Sequence, residues 1–167
     1  MTAHNPPFKI PFLCTGNSAR SILAEYLAKS LGARKPEALS ADLHPRPSPH
    51  PLALKVPEEK IGLDTSAAWS KSWGEFSTVN FDFVTTLCDS AHESCPVWPG
   101  QPVLARWGSP DPAAAIVLDA DKEKCFWTVA QQSKRRLDLF CSLPFEKLDA
   151  LRLEMAVRDI GEQETKL

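Results

Sequence analysis

The stretch FLCTGNSARS, residues 12–21, confines the fold more tightly than any other part of the chain. The run FKIPFL (8–13) predicts a short buried strand, and from Ala19 the residues Ala19, Ile22, Leu23, Tyr26, Leu27 and Leu31 recur at helical spacing. A handful of small or polar residues separates the two, so the chain must turn sharply from strand to helix. Gly16 gives that turn backbone freedom, Asn17 tolerates the left-handed region, and Gly32 stands where a helix over 18–31 would be capped. Pro11 removes a ladder donor, which is awkward in a central strand.

The alternation continues along the chain. PEALSAD (36–42) predicts a second strand, and HPRPSPHP (44–51) is loop, because four prolines in eight residues exclude regular structure. LALKVPEEKIG (52–62) is a helix candidate interrupted by Pro57. FDFVTTL (81–87) has the composition of a buried strand, followed by the polar loop CDSAHESCPVWPG and a further strand, PVLARW (102–107). In DKEKCFWTVAQQSKRRLDLFCSL, Phe126, Val129, Ala130, Leu137, Phe140 and Cys141 share one helical face, with Lys134, Arg135 and Arg136 mostly off it. A last helix is expected from Pro144 to about Ile160, ended by Gly161. This order predicts an α/β fold in three layers, a parallel sheet covered by helices on both faces. At 167 residues the chain fits one domain, 1–167, able to bury roughly two-thirds of its unfolded surface.

A formal net charge of -2 offers no broad basic field, so neither DNA nor RNA is an expected partner. The N-terminal apolar run is cut by Lys9 and Pro11, and no segment approaches about 18 apolar residues, so the expected location is cytoplasmic, away from membranes. Five cysteines (14, 88, 95, 125 and 141) form an odd set. Without a secretion signal they favour reactive thiols over a static disulfide framework.

The turn after the first strand has the chemistry of an oxyanion cradle. Backbone N–H groups at a helix N-terminus point at whatever sits before it, and small Thr15, Gly16, Asn17, Ser18 and Ala19 leave room for a tetrahedral anion. Arg20 can close over it as a bidentate clamp. The same amides and the helix dipole favour a thiolate at Cys14, with Ser21 as a further donor. A nucleophile then lies at the floor of an anion pocket. The Walker pattern GxxxxGK[ST] is absent.

Cys88 and Cys95 flank a loop too polar to hide two thiols, and its length allows their sulfurs to meet after a local rearrangement. Structural zinc would need a second close pair, which the sequence lacks. In RWGSPDPA, Pro112 holds Asp111 extended at the sheet edge where ligands bind in open α/β folds, and a carboxylic acid there can protonate a leaving oxygen.

With these elements the chain resembles the thioredoxin-coupled arsenate reductases, which share the fold of low-molecular-weight protein tyrosine phosphatases. The matching stretches are FLCTGNSARS, SKSWGEF, FDFVTTLCDSAHESCP and WGSPDPA, with IGLDTS as a weaker one, over most of residues 8–115. The resemblance implies a four-stranded parallel sheet, no tightly bound cofactor, and a relay of three cysteines in a monomer. Cys14 would attack arsenate held by residues 15–21, and Asp111 would assist the leaving oxygen. Cys88 would then attack Cys14, expelling arsenite, and Cys95 would attack Cys88 to leave a disulfide for thioredoxin. Phosphate and sulfate would enter the same cradle. A potassium ion is implied behind the loop by Asn17, Glu25, Ser40 and Asp64.

Pro11 and Arg106 depart from the pattern, where aliphatic and histidine residues are usual. Cys141 reads as core, Cys125 has no assigned place, His92 reads as a solvated loop residue, and the five tryptophans read as packing. The competing function is a phosphomonoester or phosphotyrosine hydrolase, which would use Cys14, Arg20 and Asp111 and spare Cys88 and Cys95.

Overall fold

The computed structural model describes residues 7–16, 18–32 and 35–163. Four parallel strands, β1 (Lys9–Leu13), β2 (Glu37–Ala41), β3 (Phe83–Thr86) and β4 (Val103–Arg106), form one sheet in the order β2-β1-β3-β4. Alternation sorts their side chains by face. Ile10, Phe12, Phe83 and Ala105 join a core with Leu23, Leu27, Ala53, Val56, Phe126, Leu137, Leu153 and Val157. These come from helices α1 (Arg20–Lys29), α2 (Pro51–Ile61), α4 (Asp119–Cys141) and α5 (Ala150–Gln163). Leu13, Ala41 and Val84 face the other way, against Trp73, Phe81, Trp98 and Ala91 of the short helix α3 (Asp89–Glu93). A parallel sheet buried on both faces is thus met by two separate apolar layers.

Pro11 does lie in an interior strand. It pairs with Leu39 of β2, while the ladder with β3 starts only at the next residue, Phe12 opposite Thr85. Ahead of it, Lys9 bonds to Asp82 through its own N–H (2.8 Å) and carbonyl (3.0 Å). The missing donor therefore falls where no β3 partner waits.

Several boundaries differ from expectation. The first helix ends at Lys29, where Ser30 turns its hydroxyl back to the Leu27 carbonyl at 2.6 Å, so Gly32 is not the cap. α2 runs straight through Pro57, because Ala53, Val56 and Pro57 are pressed into the core and offset one missing backbone bond. Residues 88–100 contain helix α3, with Cys88 as its N-cap. Gly161 lies inside α5 and does not end it; a Cβ there would collide with the Arg106 carbonyl and Trp107, so the glycine lets α5 close onto the end of β4.

Arg136 is the largest fully buried side chain, 2% exposed, and belongs to the buried face of α4. It donates to the carbonyls of Trp107 (2.5 Å), Gly108 (3.0 Å) and Gly161 (3.3 Å). One guanidinium thereby ties the exit of β4 to α5. Spacing alone placed this residue off the apolar face.

Candidate active site

The C-terminal end of β1 delivers Cys14, 2% exposed, to the foot of α1. Ala19 opens that helix with no side-chain cap and no acidic residue in the first turn, the setting in which a helix start favours an anion. Ser18, Ala19 and Ser21 are buried around this end, and Thr15 is exposed above it. Asn17 lies outside the described residues. Gly16, at φ +80°, gives its N–H to the Asp42 carboxylate, so one amide of the cradle is already engaged. A Cβ at Gly16 would also press on the Arg46 side chain at 3.1 Å.

The structure brings Cys88 into hydrogen-bond contact with Cys14, although 74 positions separate them in sequence. Cys88 ends the segment after β3, beside β1. Its Sγ accepts from Thr15 Oγ1 (3.1 Å) and the Ala91 N–H (3.4 Å), while the Cys14 thiol points at it. The Cys14 contact, then these further donors, hold the Cys88 thiol down at about 5. That contact and burial push Cys14 up, against the pull of Arg20. The contact therefore favours the negative charge on Cys88 and the proton on Cys14.

This makes a pH prediction with a definite sign. In the unfolded chain the thiol ionises near its ordinary value of about 8.5. A depressed folded value adds stability above that pH, which is lost as pH falls through about 5. Thiolate absorbance is expected to show one ionised cysteine at neutrality, vanishing with a midpoint near 5, and Cys14→Ala should raise that midpoint.

Arg20 Nη1 donates to the Ser109 carbonyl at 2.9 Å, and Nη2 lies 3.8 Å from Asp111 Oδ2. Asp111 is half-exposed, held by the Ala113 N–H at 3.0 Å. The clamp and the carboxylate thus meet across the mouth of the loop. The proline-rich segment 44–50 forms a wall beside it: the Arg46 N–H donates to Gly16 O (2.7 Å) and the His50 N–H to Ser18 O (2.8 Å). His50 stacks on Phe126 at 4.8 Å, and burial lowers its pKa. In the sequence the prolines mark this segment only as irregular; its backbone bonds to Gly16 and Ser18 set Arg46 and His50 beside the loop.

A cleft of about 750 Å³ runs from Arg20 and Cys88 past His92 and Ser109 to Arg158. Cys95 lies on its far side, beyond α3, in a smaller apolar hollow with Val97, Trp98 and Leu104. Its thiol reaches the Pro96 carbonyl at 3.7 Å; burial pushes it up, opposed by the Trp98 indole. Cys88 caps the start of α3 and Cys95 follows its C-cap, and at about 1.5 Å of rise per residue the helix holds the two farther apart than a disulfide spans. Arg106 holds that helix through an ion pair with Asp89, which follows Cys88 directly. His92 is exposed and lies 3.4 Å from Thr86 Oγ1. Cys125 lines a hollow beside Asp111, Cys141 packs partly buried on the core, and no disulfide links the five cysteines.

A cysteine under an uncapped helix start, an arginine six residues on and an aspartate across the mouth are the parts that a thiol-dependent enzyme of tetrahedral oxyanions requires. The chain belongs to the low molecular weight phosphotyrosine protein phosphatase family, whose family model matches residues 9–103, and to its arsenate reductase branch. It is 34% identical over 131 residues to the arsenate reductase of Halalkalibacterium halodurans, spanning 78% of this chain and 93% of that protein. It is also 34% identical over 130 residues to the glutaredoxin arsenate reductase of Synechocystis sp., with the same two shares of 78% and 93%. A solved arsenate reductase in its phosphate-binding state superposes with a TM-score of 0.68 at 32% identity, covering 81% of this chain and 97% of that one.

Proposed function

We propose that this protein is an oxidoreductase that converts arsenate to arsenite through Cys14, Cys88 and Cys95, with a thioredoxin-type dithiol as reductant. The observation that carries the reading is the contact between the Cys14 and Cys88 sulfurs at the foot of the anion loop. A hydrolase needs the first sulfur and has no use for the second.

Arsenate enters the cradle formed by residues 15–21 and draws the Arg20 guanidinium onto its oxygens. Cys88 takes the Cys14 proton, and the Cys14 thiolate attacks arsenic. Asp111 protonates the departing hydroxyl, which leaves as water, and a sulfur–arsenic bond remains. Cys88, deprotonated again, attacks the Cys14 sulfur. A sulfur–sulfur bond forms, the sulfur–arsenic bond breaks, and its electron pair reduces As(V) to As(III). Cys95 then attacks Cys88, releasing the Cys14 thiolate, and the dithiol partner reduces the Cys88–Cys95 disulfide. The electrons come from that partner alone, so no resident cofactor is required. Among the described residues no helix is long and apolar enough to cross a membrane. The reading sets the reaction in the cytoplasm, within one domain of a monomer, as an arsenic detoxification step.

The test is arsenate-dependent NADPH oxidation coupled through thioredoxin and its reductase. Turnover by the wild type, and its loss in Cys14→Ser and Cys95→Ser, is the expected result. Hydrolysis of an aryl phosphate with no arsenate turnover would establish the phosphatase instead.

A further inference from the structure

We propose that the Lys71 ammonium is the built-in cation beneath the oxyanion loop, so that this enzyme works without potassium. The inference rests on reading residues 14–21 as an oxyanion loop, and holds whether the bound anion is reduced or hydrolysed.

Glu25 lies on α1, close behind the loop, and is 3% exposed. A carboxylate so deep needs a compensating charge and its own hydrogen bonds. Ser40 Oγ donates to it at 3.1 Å, from the β2 position paired with Phe12, two residues before Cys14. Lys71, 5% exposed, places Nζ 3.5 Å from the same carboxylate. Lys29 also approaches at 3.5 Å, but from the surface, with about half of its side chain in solvent. Lys71 is enclosed: its ammonium donates to the Trp69 carbonyl at 2.9 Å and lies 5.2 Å from the Trp69 ring centre.

The residues that the family resemblance implies for a potassium ion do not fit one here. Glu25 and Ser40 are bonded to each other, with the ammonium in front of them. Asp64 is exposed and holds the Ser66 N–H at 2.9 Å, and Asn17 lies outside the described residues. A potassium ion at this carboxylate would face the enclosed Lys71 ammonium in a poorly screened interior, with the Lys29 ammonium already at the same oxygen from the surface side.

The lysine also reaches the cradle through its backbone. Its carbonyl accepts the Asp42 N–H at 2.9 Å, and the Trp73 N–H returns to Asp42 O at 3.0 Å. The Asp42 carboxylate in turn holds the Gly16 amide. Lys71 thus joins three supports of the anion loop: α1 through Glu25, β2 through Ser40, and Asp42 through the chain. It acts as a positioning residue, with no contact to the anion itself.

The experiment compares potassium with tetramethylammonium at equal ionic strength, reading the melting temperature and the affinity for inorganic phosphate. The wild type is expected to give the same values in both salts. Lys71→Met should bind phosphate about tenfold more weakly in tetramethylammonium, a typical size for coupling between sites, and recover severalfold in potassium, while Lys71→Arg keeps wild-type affinity. A potassium-specific rise in wild-type melting temperature or phosphate affinity would overturn the proposal, and that arm stands even where Lys71→Met does not fold. So would a Lys71→Met protein that binds phosphate as the wild type does in both salts. Neither readout uses arsenate turnover, so the reductase assignment can fail separately.

Discussion

Cys88→Ser is expected to lower arsenate turnover by about 10³-fold or more while leaving hydrolysis of an aryl phosphate intact or faster. The first effect follows from electron balance. Serine keeps the shape of the site and can still meet Thr15 and the Ala91 N–H, yet it cannot form the sulfur–sulfur bond whose closure sends two electrons to arsenic. The Cys14 adduct then has no productive exit. The second effect follows from charge. The Cys88 sulfur is the largest cause holding the Cys14 proton in place, and its negative charge adds to the same effect. Without it, Arg20 and the Thr15 N–H act on Cys14 unopposed except by burial, and the nucleophile ionises at lower pH. Hydrolysis should therefore shift its rising limb toward acid. Unchanged arsenate turnover in this variant would sink the relay.

Arg136→Leu is expected to lower stability by about 3–5 kcal/mol, because three carbonyls now served by one buried cation lose their donor. For a domain of this size that is roughly 6–20 °C in melting temperature. A functional loss should accompany it. The Trp107 and Gly108 carbonyls lie just before Ser109, which accepts from Arg20, and Asp111, which faces it. Loosening that turn should lower kcat more than it raises KM, since the misplaced carboxylate acts at the departing oxygen. Arg136→Lys keeps the charge but not the fork, and should recover part of the stability and little of the alignment. Thermal unfolding and steady-state kinetics of both variants measure these effects. A leucine variant that melts with the wild type would remove Arg136 from this role.

The sheet was legible because each strand is a short apolar run with a turn signal beside it, and the anion loop because it joins such a run to a helical repeat. Asp111 and the paired thiols were legible as types of residue near strand ends. What sequence could not show was who meets whom. Arg136 sits one position before Leu137, so helical spacing assigns it to the rim; only the three inward carbonyls explain why it is buried. Lys71 reads as an ordinary lysine until Glu25, 46 positions earlier, is seen against it. α3 escaped notice because four polar residues around a single alanine, capped by a cysteine, carry no apolar period. Pro57 looked like a helix breaker because propensity ignores the core that α2 covers.

The Gly16 amide given to Asp42 bears on how such an enzyme copes with phosphate, the commonest tetrahedral anion in a cell. A cradle that has already spent one donor on its own carboxylate grips every such anion less firmly when empty. Phosphate is then expected to exchange from the site quickly. Discrimination would then fall to the step phosphorus cannot take, acceptance of an electron pair from two thiols, so that a protein of this design would sort its anions by reducibility after capture, with little need to sort them by shape before it.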